Sequence, residues 1–560
     1  MPRTRSLARS ALLLSTLLPT TLASPHGGAY DTMSTSAPAP AAAGNATAGT
    51  EPANYFRHDG SGAWIYGHIF LMSIAWIILL PLSAFLSVAR SRLTLTTQLA
   101  FFATNAAGLA LGTVYNARTP DLYLGNAHHR AGWAITLLAG VWIAAGVVDT
   151  VAQRLRTPVS AANMARYTRL QGLERRWSGD SGHGASEEGV PSLEEEKEEE
   201  KEEAGGYADV ELEEEEVRPV GRFDRFVAAN LQRFAVGKTL VVNRVVYVLL
   251  ERCLAVLGFV ALTTGVVTFG GLFRGNAVFN GLAHWIKGGI FFWYGLITLG
   301  RWMGSFADLG WAWNVRPSRS VINDWRARVP SAEFVESAVI CTYGASNVFM
   351  EHLAAWGDAW SAQDFEHVSI TVLFFGGGLL GMLIESTRIR ELLAANLLAA
   401  KDTDPSASTD PAWSPPPHYA VPLNPLPALV ILLLGLMMSS HTQESMVSSM
   451  IHAQWGNLFV GYALARAATY ILLYIRPPVS HLPARPPSEL VAAFCLTAGG
   501  AVFMVSARDV VAAVEGAGLD AMFVFTVGMG GTAMVMAWVV VLGAVMGAAR
   551  RWEAAKSVGL

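Results

Sequence analysis

The feature that most limits how this chain can fold is the recurrence of long apolar runs. About twenty consecutive, mostly apolar residues are what an α-helix needs to cross the hydrocarbon core of a bilayer. Such runs fall at 63 to 88, 95 to 116, 129 to 151, 245 to 272, 282 to 301, 333 to 354, 367 to 386, 423 to 440, 451 to 475, 488 to 506 and 519 to 547. Backbone in lipid must satisfy its own N–H and C=O groups, so these runs predict helices rather than loops or open sheet edges. The expected fold is an all-α polytopic membrane protein of about eleven transmembrane helices. Composition agrees: 52% of the 560 residues are hydrophobic and 15% are charged, against roughly a quarter charged in soluble domains. The sixth run is the weakest, interrupted by Glu333, Glu336, Asn347 and Glu351.

The formal charge of −4 conceals an asymmetry. Glu187 to Glu216 holds sixteen acidic residues and two lysines, so the rest of the chain is positive by ten. That excess is spread over short loops, which excludes a nucleic-acid patch and sets orientation through the positive-inside rule. With the amino terminus outside, the cytoplasmic loops receive Arg90 and Arg92, Arg154 and Arg156, Arg301, Arg316 and Arg319, and Arg388, Arg390 and Lys401. They also receive Arg476 and Arg485, then Arg550, Arg551 and Lys556. The expected topology has a lumenal amino terminus and a cytoplasmic carboxy terminus.

Targeting and linker segments frame the helices. Arg3, Arg5 and Arg9 precede "ALLLSTLLPTTLAS", which is too short to span and has small residues around Ala23. It reads as a signal peptide over 1–24, with a mitochondrial presequence as the alternative, since acids are absent. Residues 25–60 are rich in Ala, Ser, Thr and Pro and carry the sequon Asn45-Ala46-Thr47, as expected of a lumenal disordered tail. The acidic run cannot bury enough apolar surface to offset ordering entropy. It predicts a cytoplasmic linker over 153–240, separating a three-helix module (61–152) from an eight-helix module (241–550), with a short tail at 551–560. Cys253, Cys341 and Cys495 lie in or at the edges of spans and read as packing residues rather than a disulfide framework.

The histidines sort by depth. His68, His128, His129, His284, His352, His367, His441 and His452 all fall at the lumenal ends of the runs, several beside acids: Glu351, Glu366 and Glu444. Ionisable groups at membrane depth are functional candidates. His68 and His129 each lie within about two turns of the boundary on parallel spans, where facing imidazoles can hold a haem iron axially.

"GHIFLMSIAWIILLPLSAF" and "NAHHRAGWAITLLAG" resemble the first and third core helices of the cytochrome b-561 electron-transfer proteins. That resemblance implies that His68 and one of His128 or His129 are haem b ligands, with Arg90 and Arg92 in the basic segment after the first core helix. Ile69 stands where that family has glycine, and the second run contains no histidine, so one haem is implied and not two. "GLAHWIKGGIFFWYGLITLGRW", "FEHVSITVLFFGGGLLGMLIES" and "LMMSSHTQESMVSSMIHAQW" resemble helices of a family of uncharacterised multi-span eukaryotic proteins. Together the two halves resemble the fungal Ytp-type transmembrane proteins, a family that implies a fold and no established reaction.

The second half also offers donors of its own. His284, His352, His367, His441 and His452, with Glu351, Glu366 and Glu444, suit zinc or copper, and His367, His441 and His452 are the expected nucleus. The same groups suit a proton relay, or a polar network from Glu366–His367 to Gln443–Gln454 that holds helix ends together. Gly108 and Gly112, Gly377 and Gly381, and Gly528 and Thr532 predict close helix seams. Arg301 to Asn314 predicts an interfacial belt or amphipathic helix. No phosphate-binding glycine loop, nucleophile elbow or zinc-protease motif is present.

Three functions follow as expectations. The first is a membrane haem protein with an unknown electron donor. The second is a metal or proton transporter centred on the second module, and the third a scaffold without a cofactor. All are expected in the endomembrane system or plasma membrane, with a mitochondrial membrane as the alternative and a homo-oligomer as one assembly.

Overall fold

The computed structural model describes residues 54–58, 60–150, 237–318, 320, 322, 324–347, 359–407, 409–441 and 443–557. Helix is the only regular structure among them, and every one of the apolar runs is helical within its described residues. The first four helices are α1 (Gly62–Val88), α2 (Thr94–Arg118), α3 (His128–Thr150) and α4 (Gly237–Gly270). Then come α5 (Ala277–Met303), α6 (Ala332–Asn347), α7 (Ala362–Glu385) and α8 (Leu426–Ser440). The last are α9 (Met446–Ile475), α10 (Pro487–Val505) and α11 (Ala521–Ser557). Seven of these, α1, α3, α4, α7, α9, α10 and α11, are both long and apolar enough to cross a membrane. The signal peptide, the sequon, the acidic linker sequence, Glu351 and His352 lie outside the described residues.

The first core joins Trp76 of α1, Phe101 of α2, Trp142 of α3 and Tyr247 and Leu254 of α4. The fourth helix, expected to open the second module, thus completes a four-helix bundle with α1, α2 and α3. Tyr247 explains why: its ring stacks on Trp142, and its hydroxyl meets Ser87 Oγ at 2.8 Å and Gln98 Nε2 at 2.9 Å. Arg244 pairs with Asp149 at 2.6 Å along the same seam.

Pro81 shapes α1. Proline has no N–H, so Ile77 O loses its ordinary helical donor, and the chain winds as a π-helical turn over Ile74–Leu79. The indole of Trp538, in α11, donates to Ile77 O at 2.9 Å. At the far end of the same contact Glu553 accepts from Arg92 N at 2.9 Å.

The second core draws on α5 through α11, with Phe291, Ile431, Trp455, Phe459, Tyr462 and Leu496 at its centre. Its helix pairs meet at glycine. A Cβ on Gly288 of α5 would stand 2.7 Å from Gly500 O of α10, and one on Gly435 of α8 would stand 2.6 Å from Gly456 O of α9. The α6–α7 approach runs through Gly344 and Gly378, whose Cβ atoms would strike the opposing backbone. Of the expected pair, Gly377 faces Val430 of α8 and Gly381 faces Ser337 and Asn424, so the backbone contact sits one residue from where spacing put it. Gly108 and Gly112 face α1 as expected.

The Arg301–Asn314 segment is neither belt nor amphipathic helix. Gly304 ends α5 at φ 97°, a single 3-10 turn follows at Ala307–Leu309, and Trp313 and Asn314 are buried. Arg301 Nε donates to Trp311 O at 2.7 Å, and Asn314 Nδ2 donates to Ala307 O and His481 O, each at 2.8 Å. These bonds fold the loop inward over charged residues described below.

α7 opens with a capping box. Asp364 N donates to Ser361 Oγ at 3.2 Å, and Ser361 N donates to Asp364 Oδ2 at 2.8 Å. Ser361→Ala should cost about 1 kcal/mol, read as a lower thermal midpoint in detergent; an unchanged midpoint would show that the cap contributes nothing.

Candidate functional site

His68 lies two turns into α1, half-buried, with Nδ1 2.8 Å from Gly108 O. Its ring occupies the notch left by Gly112, where a Cβ would stand 2.7 Å from Nδ1. His128 opens α3, also half-buried, with Nδ1 3.2 Å from Thr264 Oγ1 and its Cε1 beside the bare Cα of Gly265. The two rings face each other with centroids 6.3 Å apart and planes at 81°. His129 is exposed, and its backbone N–H donates to Asn126 Oδ1 at 3.4 Å. Adjacent helical residues diverge by about 100°, so only one of the two can face His68, and it is His128.

One hydrogen bond fixes the tautomer of His68. A carbonyl can only accept, so His68 carries its proton on Nδ1. Thr264 Oγ1 stands 3.2 Å from His128 Nδ1 and also reaches Val260 O at 2.8 Å and Ala261 O at 3.1 Å. With its proton on Nδ1, His68 presents the lone pair of Nε2. Metal-binding histidines are held the same way, by a bond from the non-ligating nitrogen to a carbonyl or similar acceptor.

The arrangement occurs a second time. His284 of α5 bonds Asn280 O through Nδ1 at 2.9 Å, and His452 of α9 bonds Ser448 O through Nδ1 at 2.8 Å. Their rings stand 6.1 Å apart with planes at 89°. His452 is buried, and the pair is walled by Phe503, 5.6 Å from His284, and Trp455, 5.8 Å from His452.

The remaining expected donors are dispersed. His441 ends α8 with Nδ1 3.6 Å from the exposed Glu366 of α7, and His367 is half-buried beside it in sequence. Glu444 pairs with Arg508 at 2.9 Å at the surface. Among the described residues no three of His, Cys, Asp or Glu come together as a metal-holding group. Gln454 Nε2 donates to Ala521 O at 3.0 Å, and Gln443 N donates to Ser449 Oγ at 3.2 Å, so these two glutamines serve separate helix ends.

Both histidine pairs lie at one end of the helices. Tyr123, in the α2–α3 loop, donates to Leu272 O at 2.6 Å in the α4–α5 loop, and Arg274 Nη2 donates to Leu122 O at 3.0 Å. Burial holds the Tyr123 hydroxyl above its ordinary pKa despite the neighbouring Arg274, which keeps it a donor.

The opposite end holds a network that the apolar runs did not announce. Arg301 of α5 meets Glu333 at 2.8 Å and Glu336 at 2.5 Å, both on α6. Arg466 of α9 meets Glu336 at 3.3 Å and Glu489 of α10 at 2.8 Å. Both arginines, Glu333 and Glu489 are no more than 2% exposed at the side chain. Trp313 lies under Arg301 at 4.4 Å, and the hydroxyls of Tyr294 and Tyr462 meet at 2.9 Å nearby. Arg301 counted as a loop charge by its position at the end of a run. Arg466, inside an otherwise apolar run, was the available signal: a guanidinium at that depth requires a carboxylate.

Comparisons with known proteins place the chain. The family model described as Protein YTP1-like, C-terminal, matches residues 257–547, and a domain of unknown function, DUF2427, matches residues 49–152. An uncharacterized membrane protein of Schizosaccharomyces pombe, C3B8.06, is 33% identical over 494 residues, covering 86% of this chain and 93% of its own. The uncharacterized membrane protein YCR061W of Saccharomyces cerevisiae is 37% identical over 327 residues, covering 57% of this chain and 50% of its own. Protein YTP1 of the same yeast is 26% identical over 176 residues, 31% of this chain and 30% of its own. No solved structure matches.

Proposed function

Because this chain belongs to the YTP1-like family of membrane proteins, we propose that it is an integral membrane haem protein in which His68 and His128 hold the iron of one haem b. The facing imidazole pair carries this reading. The two rings, with centroids 6.3 Å apart, are the residues that would hold one iron between α1 and α3. The donor set fits: two imidazoles, His68 held by Gly108 O and His128 in contact with Thr264 Oγ1. Haem held this way supplies a one-electron couple. The chain's part would be to orient both rings, with His68 Nδ1 held by Gly108 O so that its Nε2 is presented. The cytochrome b-561 resemblance supports the same residues, with His128 taking the place that sequence left open between it and His129.

The test is the dithionite-reduced minus oxidised absorption spectrum of detergent-purified protein. A b-type band is expected, lost in His68→Phe and His128→Phe, which keep an aromatic ring but remove the ligand, and retained in His129→Ala. A flat spectrum from folded protein expressed with adequate haem rejects the reading.

The pair His284–His452 favours a second reading for the other module, the handling of a zinc or copper ion or a proton, with His441, His367 and Glu366 nearby. It predicts that His284→Phe and His452→Phe change metal content or pH-dependent uptake while the haem band stays. Loss of a second haem equivalent instead would assign this pair to haem too. The predicted signal peptide and sequon support an endomembrane or plasma-membrane location.

A further inference from the structure

A cavity of about 420 Å³ opens at the end of the bundle opposite the histidines. Its charged lining is Arg90 at the end of α1, Arg244 and Arg252 of α4, Arg326, Arg550 of α11, and one acid, Glu251. Five guanidinium groups against one carboxylate leave it positive even after the pairs Arg244–Asp149 and Arg326–Asp308 are set aside. Arg252 lies 4.0 Å from Glu251, and Arg550 reaches Val88 O at 3.4 Å. Arg90 and Arg550 have no carboxylate partner among the described residues.

The backbone at Arg90 is a second, independent observation. α1 ends with Ser91 N donating to Leu86 O at 3.1 Å and Arg90 N donating to Ser87 O at 2.9 Å, and Arg90 sits at φ 56°. This left-handed position past a helix end is one that glycine takes at no steric cost. An arginine there accepts a conformational cost in order to place a guanidinium at the cavity wall.

The surroundings identify the ligand. The cavity lies where the end of α1 meets the first half of α4 and the last turns of α11, three helices fit to cross a membrane. Running from it toward the middle of α4, Val248, Val256 and Val260 are exposed, an apolar track continuous with the charged opening. Guanidinium forks match phosphate oxygens, and basic pockets between spanning helices suit anionic headgroups. We infer that this cavity binds the phosphate-bearing headgroup of an anionic phospholipid whose acyl chains lie along α4. The orientation expected from loop charge puts it in the cytoplasmic leaflet, where such lipids concentrate. The inference is independent of whether haem is bound.

The full chain would be reconstituted in phosphatidylcholine nanodiscs doped with phosphatidic acid, and the lipid retained on extraction quantified by native mass spectrometry. Phosphatidic acid should be retained over phosphatidylcholine. Arg90→Gln with Arg252→Gln, both exposed and so compatible with folding, should reduce that preference roughly thirty-fold, while Glu251→Gln should raise it by removing the one repulsive charge. Equal retention of the two lipids, or a preference indifferent to these substitutions, overturns the inference. Displacement of phosphatidic acid by inorganic phosphate at matched concentration would do so too, assigning the cavity to a soluble phosphate instead.

Discussion

Arg466→Ala should yield almost no folded protein. The guanidinium lies between Glu336 and Glu489, at 3.3 and 2.8 Å, and its side chain is 1% exposed. Removing it leaves Glu489, fully buried, with no cation in contact among the described residues, and leaves Arg301 to serve both Glu333 and Glu336. Breaking a buried pair from one side costs about 3 to 5 kcal/mol, a large part of the roughly 5 to 15 kcal/mol by which domains are stable. Coulomb attraction here works against a desolvation cost of similar size, so removing both charges should be far milder than removing one. Arg466→Met combined with Glu489→Leu should therefore recover most of the monodisperse material seen by gel filtration. If the single variant behaves like wild type, the network does not hold the bundle.

Gly500→Val should be nearly as damaging, for a steric reason. A Cβ at Gly500 would lie 2.5 Å from Gly288 O and 2.9 Å from Phe292 Cα. Both are backbone atoms, which no rotamer change can clear, so α5 and α10 would have to part along their whole contact. Ordinary overpacking costs about 1 to 3 kcal/mol, and separation of the main interface of the second core should exceed that, reaching about 4 kcal/mol when lost dispersion is added. Gly376→Ala is the matched control, since nothing lies within 4 Å of its Cβ position; it should be neutral or raise the midpoint slightly through helix propensity. Equal behaviour of the two variants would remove close glycine packing as the basis of this seam.

What could be read from the chain, and what could not, divides along a physical line. Each apolar run became a helix, because a single segment of about twenty apolar residues has one way to satisfy its backbone in lipid. Properties that depend on a second segment were hidden. The choice of His128 over His129 rests on Thr264 and Gly265, which lie across the acidic stretch on α4. The pairing of His284 with His452 spans 168 positions, and nothing local in either helix names the other. Arg301 was misread because a cation at the end of a run has the same local signature whether it faces water or, as here, Glu333 and Glu336. Gly377 was displaced by Gly378 because a four-residue spacing fixes a face only to within one neighbour.

The bond from Trp538 to Ile77 O has a bearing on how the protein is made. Membrane helices enter the bilayer in the order of their synthesis, and a bare carbonyl in lipid costs several kcal/mol. Pro81 creates that carbonyl in the first span, and its donor arrives with the last, 461 residues later. Until α11 is made the bond from Trp538 cannot form, so this tie between the first and last spans is set only in the completed chain. A product truncated before α11 lacks that tie, and its first span is held by α2, α3 and α4 alone.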